Sequence, residues 1–186
     1  MFKKLAESIK QPMSFTRIAN IVSSTGAKVG TNTIINYIEY AKDAWLISSV
    51  QNIAGKLVDK ETNPKYYFTD NGILNLFLLD GNTSLLENLV AINLLRKYGR
   101  NDAVFFYNKG VEVDFYIPDE AIAIQVCYSL DNSQGTFDRE IDALLKLPKV
   151  VECKKLMIIT RDTEQKLEIN NKTIEVIPVW KWLLNI

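Results

Sequence analysis

Residues 155–160, Lys-Leu-Met-Ile-Ile-Thr, form a continuous apolar run. A strand lacks polar alternation only when both of its faces are covered, so this run predicts a sheet centre with helices on the flanks. Residues 84–98 read as a helix whose Leu85, Leu86, Leu89, Val90, Ile92, Leu94 and Leu95 lie on more than one side, the pattern of a well-buried helix. Gly99 suits its stop. Residues 103–107, 111–117 and 121–128 read as three strands, with Pro118-Asp119 turning the second into the third. Residues 137–147 read as a helix carrying Phe137, Ile141, Leu144 and Leu145, ended by Pro148. Residues 173–177 read as an edge strand. Pro178 then opens a short helix with Trp180 and Trp182.

The first part of the chain reads differently. Phe2, Leu5 and Ile9 recur at helical spacing up to Pro12. Ser14 suits the N-cap of a second helix with Phe15, Ile18, Ala19 and Val22, ended at Gly26. Thr31 is expected to cap a third helix whose apolar stripe is Ile34, Ile35, Ile38, Ala41 and Trp45. Two strand-like pieces follow at 46–50 and 65–68, joined by a polar link with Gly55, Lys56, Lys60 and Pro64. Helix, helix, turn, helix and hairpin is the order of a winged helix, with its wing near 56–60. Asp70-Asn71-Gly72 is a turn signal. The predicted division is therefore a winged-helix-like domain over 1–72 and a second domain over 73–186. The fold class is α/β (α+β), the second domain ordered αβββαβ with a mixed sheet flanked by helices.

Composition narrows the chemistry. The chain has no histidine, which excludes Ser-His-Asp triads, Cys-His dyads and His-ligated zinc. Any chemistry must come from carboxylates, lysines or backbone. Cys127 and Cys153 do not make a disulfide framework and fit reduced thiols in a cytoplasm. No apolar run approaches the roughly 18 residues of a membrane helix, and the start does not read as a signal peptide. Net charge is zero but unevenly spread. Residues 1–68 hold nine Lys/Arg against five Asp/Glu, a net of +4, and the remainder holds −4. A basic first part could meet phosphates, although a solvated surface explains the same excess.

On the strand at 111–117, alternation puts Glu112, Asp114 and Tyr116 on one face, opposite Val113 and Phe115. On the next strand Ala123, Gln125 and Cys127 share a face. Paired as a hairpin, the two strands bring Asp114 close to Gln125 and Cys127, and Glu87 could point to the same spot. Each residue also has a structural reading. Ser84-x-x-Glu87 fits a helix capping box. Asp114 could be a solvated strand residue or pair with a nearby lysine. Cys127 fits a small buried hydrophobe.

A helix Glu, a strand Asp and a following (Asp/Glu)-x-Lys resemble the PD-(D/E)XK nuclease signature. More narrowly, the chain resembles the C-terminal region of prokaryotic AAA-type ATPases, a winged helix followed by a nuclease-like domain of unknown function. The matching stretches are Lys65-Tyr66-Tyr67-Phe68-Thr69-Asp70-Asn71-Gly72, Leu86-Glu87-Asn88-Leu89-Val90, Glu112-Val113-Asp114-Phe115, Ile124-Gln125-Val126-Cys127, Arg139-Glu140 and Ile177-Pro178-Val179-Trp180. In active nucleases of this kind the carboxylates hold Mg²⁺ and the lysine helps activate water. The resemblance therefore implies a relic site at Glu87, Asp114, Gln125 and Cys127, with Glu87 and Asp114 as metal-ligand candidates.

Here Gln125 and Cys127 stand in place of the Glu-x-Lys pair. A neutral amide is a poor Mg²⁺ ligand and a thiol is a soft one. Losing general acid-base help alone costs on the order of 10²–10⁴ in rate. No catalysis and no cofactor are expected, and Mg²⁺ would enter only if a displaced lysine, Lys109 or Lys146, restored the site. The chain also lacks a Walker A motif, since Gly26-Ala27-Lys28-Val29-Gly30-Thr31 has the wrong spacing. It is expected to be an excised or stand-alone remnant of a longer ATPase. The expected partner is an AAA-type ATPase domain in the same or a neighbouring chain, with DNA possible and no membrane. Lys28, Asn32, Thr33, Asn36, Tyr40 and Lys56 are the DNA-contact candidates, with protein contact the competing use of that face. A third reading is a structural oligomerisation domain using Trp180 and Trp182.

Overall fold

The computed structural model describes residues 1–55, 63–79, 81–99, 103–130 and 135–185. Helices α1 (Phe2–Glu7), α2 (Phe15–Ser23) and α3 (Thr31–Asp43) precede strands β1 (Ile47–Asn52) and β2 (Lys65–Phe68). Then come α4 (Asn71–Asn75), α5 (Asn82–Tyr98), β3 (Phe105–Asn108), β4 (Glu112–Ile117), β5 (Ile122–Val126) and α6 (Thr136–Lys146). Strands β6 (Lys155–Thr160), β7 (Gln165–Ile169) and β8 (Lys172–Pro178) and helix α7 (Val179–Leu184) complete the order. The wing expected near 56–60 lies outside the described residues. Among the described residues no helix is long and apolar enough to cross a membrane.

The described strands form one mixed sheet in the order β2-β1-β3-β4-β5-β6-β8-β7. β1 joins β2 antiparallel and β3 parallel, so the first hairpin continues the sheet of the second half. β6 runs parallel to both β5 and β8. Its side chains divide between two cores: Met157 and Ile159 enter one, Leu156 and Ile158 the other. That double coverage is why the run at 155–160 shows no polar alternation. The larger core runs from Leu5 on α1 through Ile34, Tyr67 and Val90 to Trp182 and takes in Leu74 on the way. The smaller lies under α6, where Ala143 and Leu144 meet Val113, Tyr116 and Ile158.

Several local expectations change. β8 is interior, and the edge is β7, which pairs with it antiparallel. Gln165-Lys166-Leu167-Glu168-Ile169 is a half-exposed, charged edge strand. Its turn is made by Asn170 and Asn171 at φ 52° and 59°, the left-handed pair of a tight hairpin. Ser14 does cap α2, accepting the Arg17 N–H at 3.2 Å. The N-cap of α3, however, is Gly30, and Thr31 makes no capping bond. Trp45 leaves the apolar stripe of α3, because it sits past the helix end at φ 58° and is 64% exposed. Trp180 and Trp182 do not share a surface. Two residues apart on a helix they face opposite ways, so Trp182 is buried and Trp180 exposed.

One irregularity positions the site. The β4–β5 ladder pairs Ile117 with Ile122, Tyr116 with Ala123 and Phe115 with Ile124. Beyond that point side chains replace the backbone bonds. The Gln125 Oε1 accepts the Asp114 N–H at 2.8 Å, and its Nε2 donates to the Glu112 carbonyl at 2.9 Å. The Asp114 Oδ2 accepts the Val126 N–H at 3.0 Å. This fork between β4 and β5 coincides with a bulge of β4 against β3, where the step from Val113 to Tyr116 spans three residues against two from Phe105 to Tyr107. Val113 and Phe115, expected on one face, enter different cores.

Candidate functional site: a carboxylate cluster closed by a lysine

Glu87, Glu112 and Asp114 meet at the mouth of this fork, and the group at their centre is the side chain of Lys65. Its ammonium lies 3.0 Å from Glu112 Oε1, 3.2 Å from Asp114 Oδ1 and 3.8 Å from Glu87 Oε1. It also stands over the Phe106 ring, 5.4 Å from the centroid. Lys65 opens β2, a strand buried on every residue, and is itself 0% exposed. A lysine carried into the interior by Tyr66, Tyr67 and Phe68 has to find anions, and this fold supplies three.

Glu87 is the most confined acid, 2% exposed. The capping-box expectation fails, because α5 begins at Asn82 after Gly81 and Ser84 lies within it. Glu87 instead points inward. Its Oε1 accepts the Tyr67 hydroxyl at 2.9 Å, and its Oε2 lies 3.9 Å from the Lys10 Nζ. Burial, reinforced by the Asp114 charge, pushes its carboxyl up to about 7 against the pull of Lys65 and Lys10. Burial alone would lower the Lys65 ammonium, but Asp114, Glu87 and Glu112 outweigh it and hold the group charged well above its usual range. Glu140, on α6, is raised too, chiefly by burial, with Arg139 pulling the other way. It accepts from Gln125 Nε2 at 2.5 Å and pairs with Arg139 at 2.8 Å.

These groups line a cleft of about 400 Å³ whose walls include Lys10, Glu87, Glu112, Asp114, Gln125 and Glu140. Its lining sets Glu87, Glu112, Asp114, Glu140 and Asp142 against Lys10, Arg139 and Lys146, with the buried Lys65 ammonium behind the acids. Of the four relic positions, three are gathered. Cys127 is not; it lies in the smaller core and its Sγ donates to the Ser129 carbonyl at 2.9 Å. Neither lysine considered as a replacement is the one at the centre. Lys146 lines the cleft but pairs with Asp142 at 2.5 Å, and Lys109 is exposed on the β3–β4 turn. Asp114 does pair with a lysine, as its structural reading anticipated, but one from 49 residues upstream.

The donors do not fit Mg²⁺. Octahedral coordination needs oxygens at about 2.1 Å with room for water. Here three acids converge on a tethered ammonium, and Gln125 spends its oxygen on the Asp114 N–H. Among the described residues no group of three or more Asp, Glu or Cys side chains stands in an arrangement able to hold a metal ion.

The face expected to meet DNA is solvent-accessible. Lys28, Asn32, Thr33, Asn36 and Tyr40 are all exposed, and Tyr37 joins them at 49%. Lys42, the basic residue of α3, is paired with Glu39 at 3.0 Å. Lys56 lies outside the described residues.

Residues 1–85 match a family described as a domain of unknown function (DUF8612). The chain is 33% identical to an uncharacterized protein of Methanocaldococcus jannaschii, over 92% of this chain and 41% of that protein. It is 31% identical to an uncharacterized protein of Haemophilus influenzae, over 97% of this chain and 44% of that one. No solved structure matches the chain. The chain thus spans less than half the length of these curated relatives, and what it is similar to is itself without an assigned activity.

Proposed function

We propose that this chain is a non-catalytic module, the C-terminal part of an AAA-type ATPase, carrying a degenerate nuclease-like site and docking a protein partner or DNA. The observation that carries the reading is the use made of Gln125. In a working site of the resembled kind this position would be a carboxylate aimed at a metal. Here it is an amide whose oxygen and nitrogen close the β4–β5 fork by bonding Asp114 N–H, the Glu112 carbonyl and Glu140. Both amide protons are spent and the oxygen is aimed at a backbone N–H, so the side chain serves the strands rather than a cation or a water nucleophile. The relatives, more than twice the length of the aligned region, have room for an ATPase half outside it. Two unpaired cysteines fit a cytoplasmic setting.

For docking, the exposed face of α3 favours protein over DNA. Tyr37, Tyr40, Asn32 and Asn36 offer aromatic and amide contacts, whereas phosphate attraction rests on Lys28 and an already paired Lys42. One observation favours an Mg²⁺-dependent nuclease instead: Lys65 brings an ammonium to the acids that Gln125 and Cys127 cannot provide. Its contact with all three acids at once argues against that role, because an incoming cation would meet it head-on.

Incubation of purified protein with supercoiled plasmid and Mg²⁺ or Mn²⁺, beside an Asp114→Ala control, decides between the two. The expected result is no cleavage above background in either sample. Cleavage by the wild type that Asp114→Ala abolishes would overturn the proposal.

A further inference from the structure

Trp45 stands where helices commonly end on glycine. Its N–H bonds the Lys42 carbonyl at 2.9 Å, and the Leu46 N–H reaches back to the Ala41 carbonyl at 2.9 Å. That pair of bonds is the left-handed stop of α3, and at φ 58° glycine alone is unstrained there. Thr69 holds the stop from beyond β2 by donating its hydroxyl to the Trp45 carbonyl. A bulky side chain kept in a strained conformation and left 64% exposed points to a use outside folding. The indole borders a pit of about 520 Å³, formed with residues of β1, β2 and α5. We infer that this pit binds a small organic carboxylate with an aromatic or similarly flat apolar body. The inference goes beyond the docking reading, and the pit shares no lining residue with the acidic cleft.

Three features fix the chemistry of the ligand. The apolar lining is Phe68, Ile92 and Leu95, all otherwise buried, with the indole as an outer wall, so a flat hydrophobic body is covered on several sides. Ser48 also lines the pit. It is 7% exposed and makes no hydrogen bond among the described residues, so its hydroxyl is left for whatever enters. Arg96, on the last turn of α5, is exposed and forms no ion pair among the described residues, which leaves its fork open to a carboxylate. One guanidinium suits one carboxylate. A nucleic-acid strand would call for a run of cations, and Lys42, the basic residue of α3, is already held by Glu39.

The test follows the indole N–H resonance of Trp45 in nitrogen–proton correlation spectra of the full chain, identified among the three tryptophans by its loss in Trp45→Gly. Titration with phenylpropionate is expected to shift it to saturation, with an affinity about tenfold above that for the neutral phenylpropanamide. Arg96→Gln should erase that difference. Ser48→Ala should weaken both compounds without lowering Tm, since the hydroxyl has no partner among the described residues to lose. Trp45→Gly should bind neither compound and should melt at the wild-type temperature or about 2–4 °C above it. That readout separates binding from packing: a Trp45→Gly variant that melts lower, or does not fold, shows that the indole serves the fold and overturns the inference. Equal affinities for acid and amide overturn it too, as does the absence of any shift. A capped dipeptide of phenylalanine and glutamate that binds where phenylpropionate does not would make the pit a peptide-docking surface and sink the small-molecule reading. None of these outcomes bears on plasmid cleavage, so the non-catalytic reading stands or falls separately.

Discussion

Replacing Lys65 by methionine keeps most of the side-chain volume and deletes the charge. Three acids then lose their common partner. Removing one member of a buried ion cluster costs roughly 3–5 kcal/mol, because an uncompensated charge remains in the interior. The three do not contribute equally. Glu112 is 41% exposed and Asp114 15%, so water recovers part of their loss, whereas Glu87 at 2% has no such recourse. The low end, about 3 kcal/mol, is therefore expected at pH 8. The deficit should shrink on acidification. Glu87 already titrates near 7 with the lysine present, and without it protonation becomes easier still. An acid whose folded pKa is raised binds more protons folded than unfolded, so stability falls as pH rises through the gap. Urea unfolding of both proteins at pH 8 and pH 5, without divalent ions, measures this. A deficit below 1 kcal/mol at pH 8, or one that grows at pH 5, would show that Lys65 does not hold these charges in place.

The remaining expectations follow the same physics. In the wild type, Glu87 is raised from 4.5 to about 7, so its contribution should lower stability by roughly 3 kcal/mol as pH climbs through that window. Glu87→Gln, whose amide oxygen can still accept from Tyr67, should flatten that slope, and an unchanged slope in pH-dependent denaturation would count against it. Asn88, fully buried on α5, accepts the Phe68 N–H and donates to the Phe68 carbonyl and to Asn71. Asn88→Ala orphans two backbone groups on the outermost strand β2 and should cost roughly 2–4 kcal/mol in chemical denaturation. With Lys28 and Lys42 the basic groups at α3, any duplex binding should weaken only about tenfold over a fourfold rise in salt. A hundredfold loss in a fluorescence-anisotropy titration would mean more phosphates are met than α3 can account for.

Most of the fold could be read from periodicity, because burial here follows it. The two-sided run of β6 and the crowded helix α5 were visible as apolar patterns, and Pro178 marked the start of α7. β7 was not, since Gln165, Lys166 and Glu168 belong to an edge strand that has only one neighbour to satisfy. In the cleft, Glu87, Asp114 and Gln125 could be grouped because strand alternation and a helix turn are short-range rules. Lys65 could not be placed by such rules. It reaches its acids across sequence separations of 22 to 49 residues, and only the arrangement of β2, β1, β3 and β4 brings them together. Its one local clue was a lysine fronting Tyr-Tyr-Phe in a four-residue strand, a position a charge occupies only when partners await it. Cys127 was grouped with the acids by alternation, but the fork at Gln125 ends the ladder before it.

What sits between Glu87, Glu112 and Asp114 decides whether the cleft can serve a metal. Diffraction from wild-type crystals soaked in Mn²⁺, with data collected at the manganese edge, addresses this directly. The prediction is no anomalous peak within about 3 Å of the Lys65 Nζ, with that nitrogen still against all three acids. A manganese ion bound to Glu87 and Asp114, with the lysine swung aside, would contradict it.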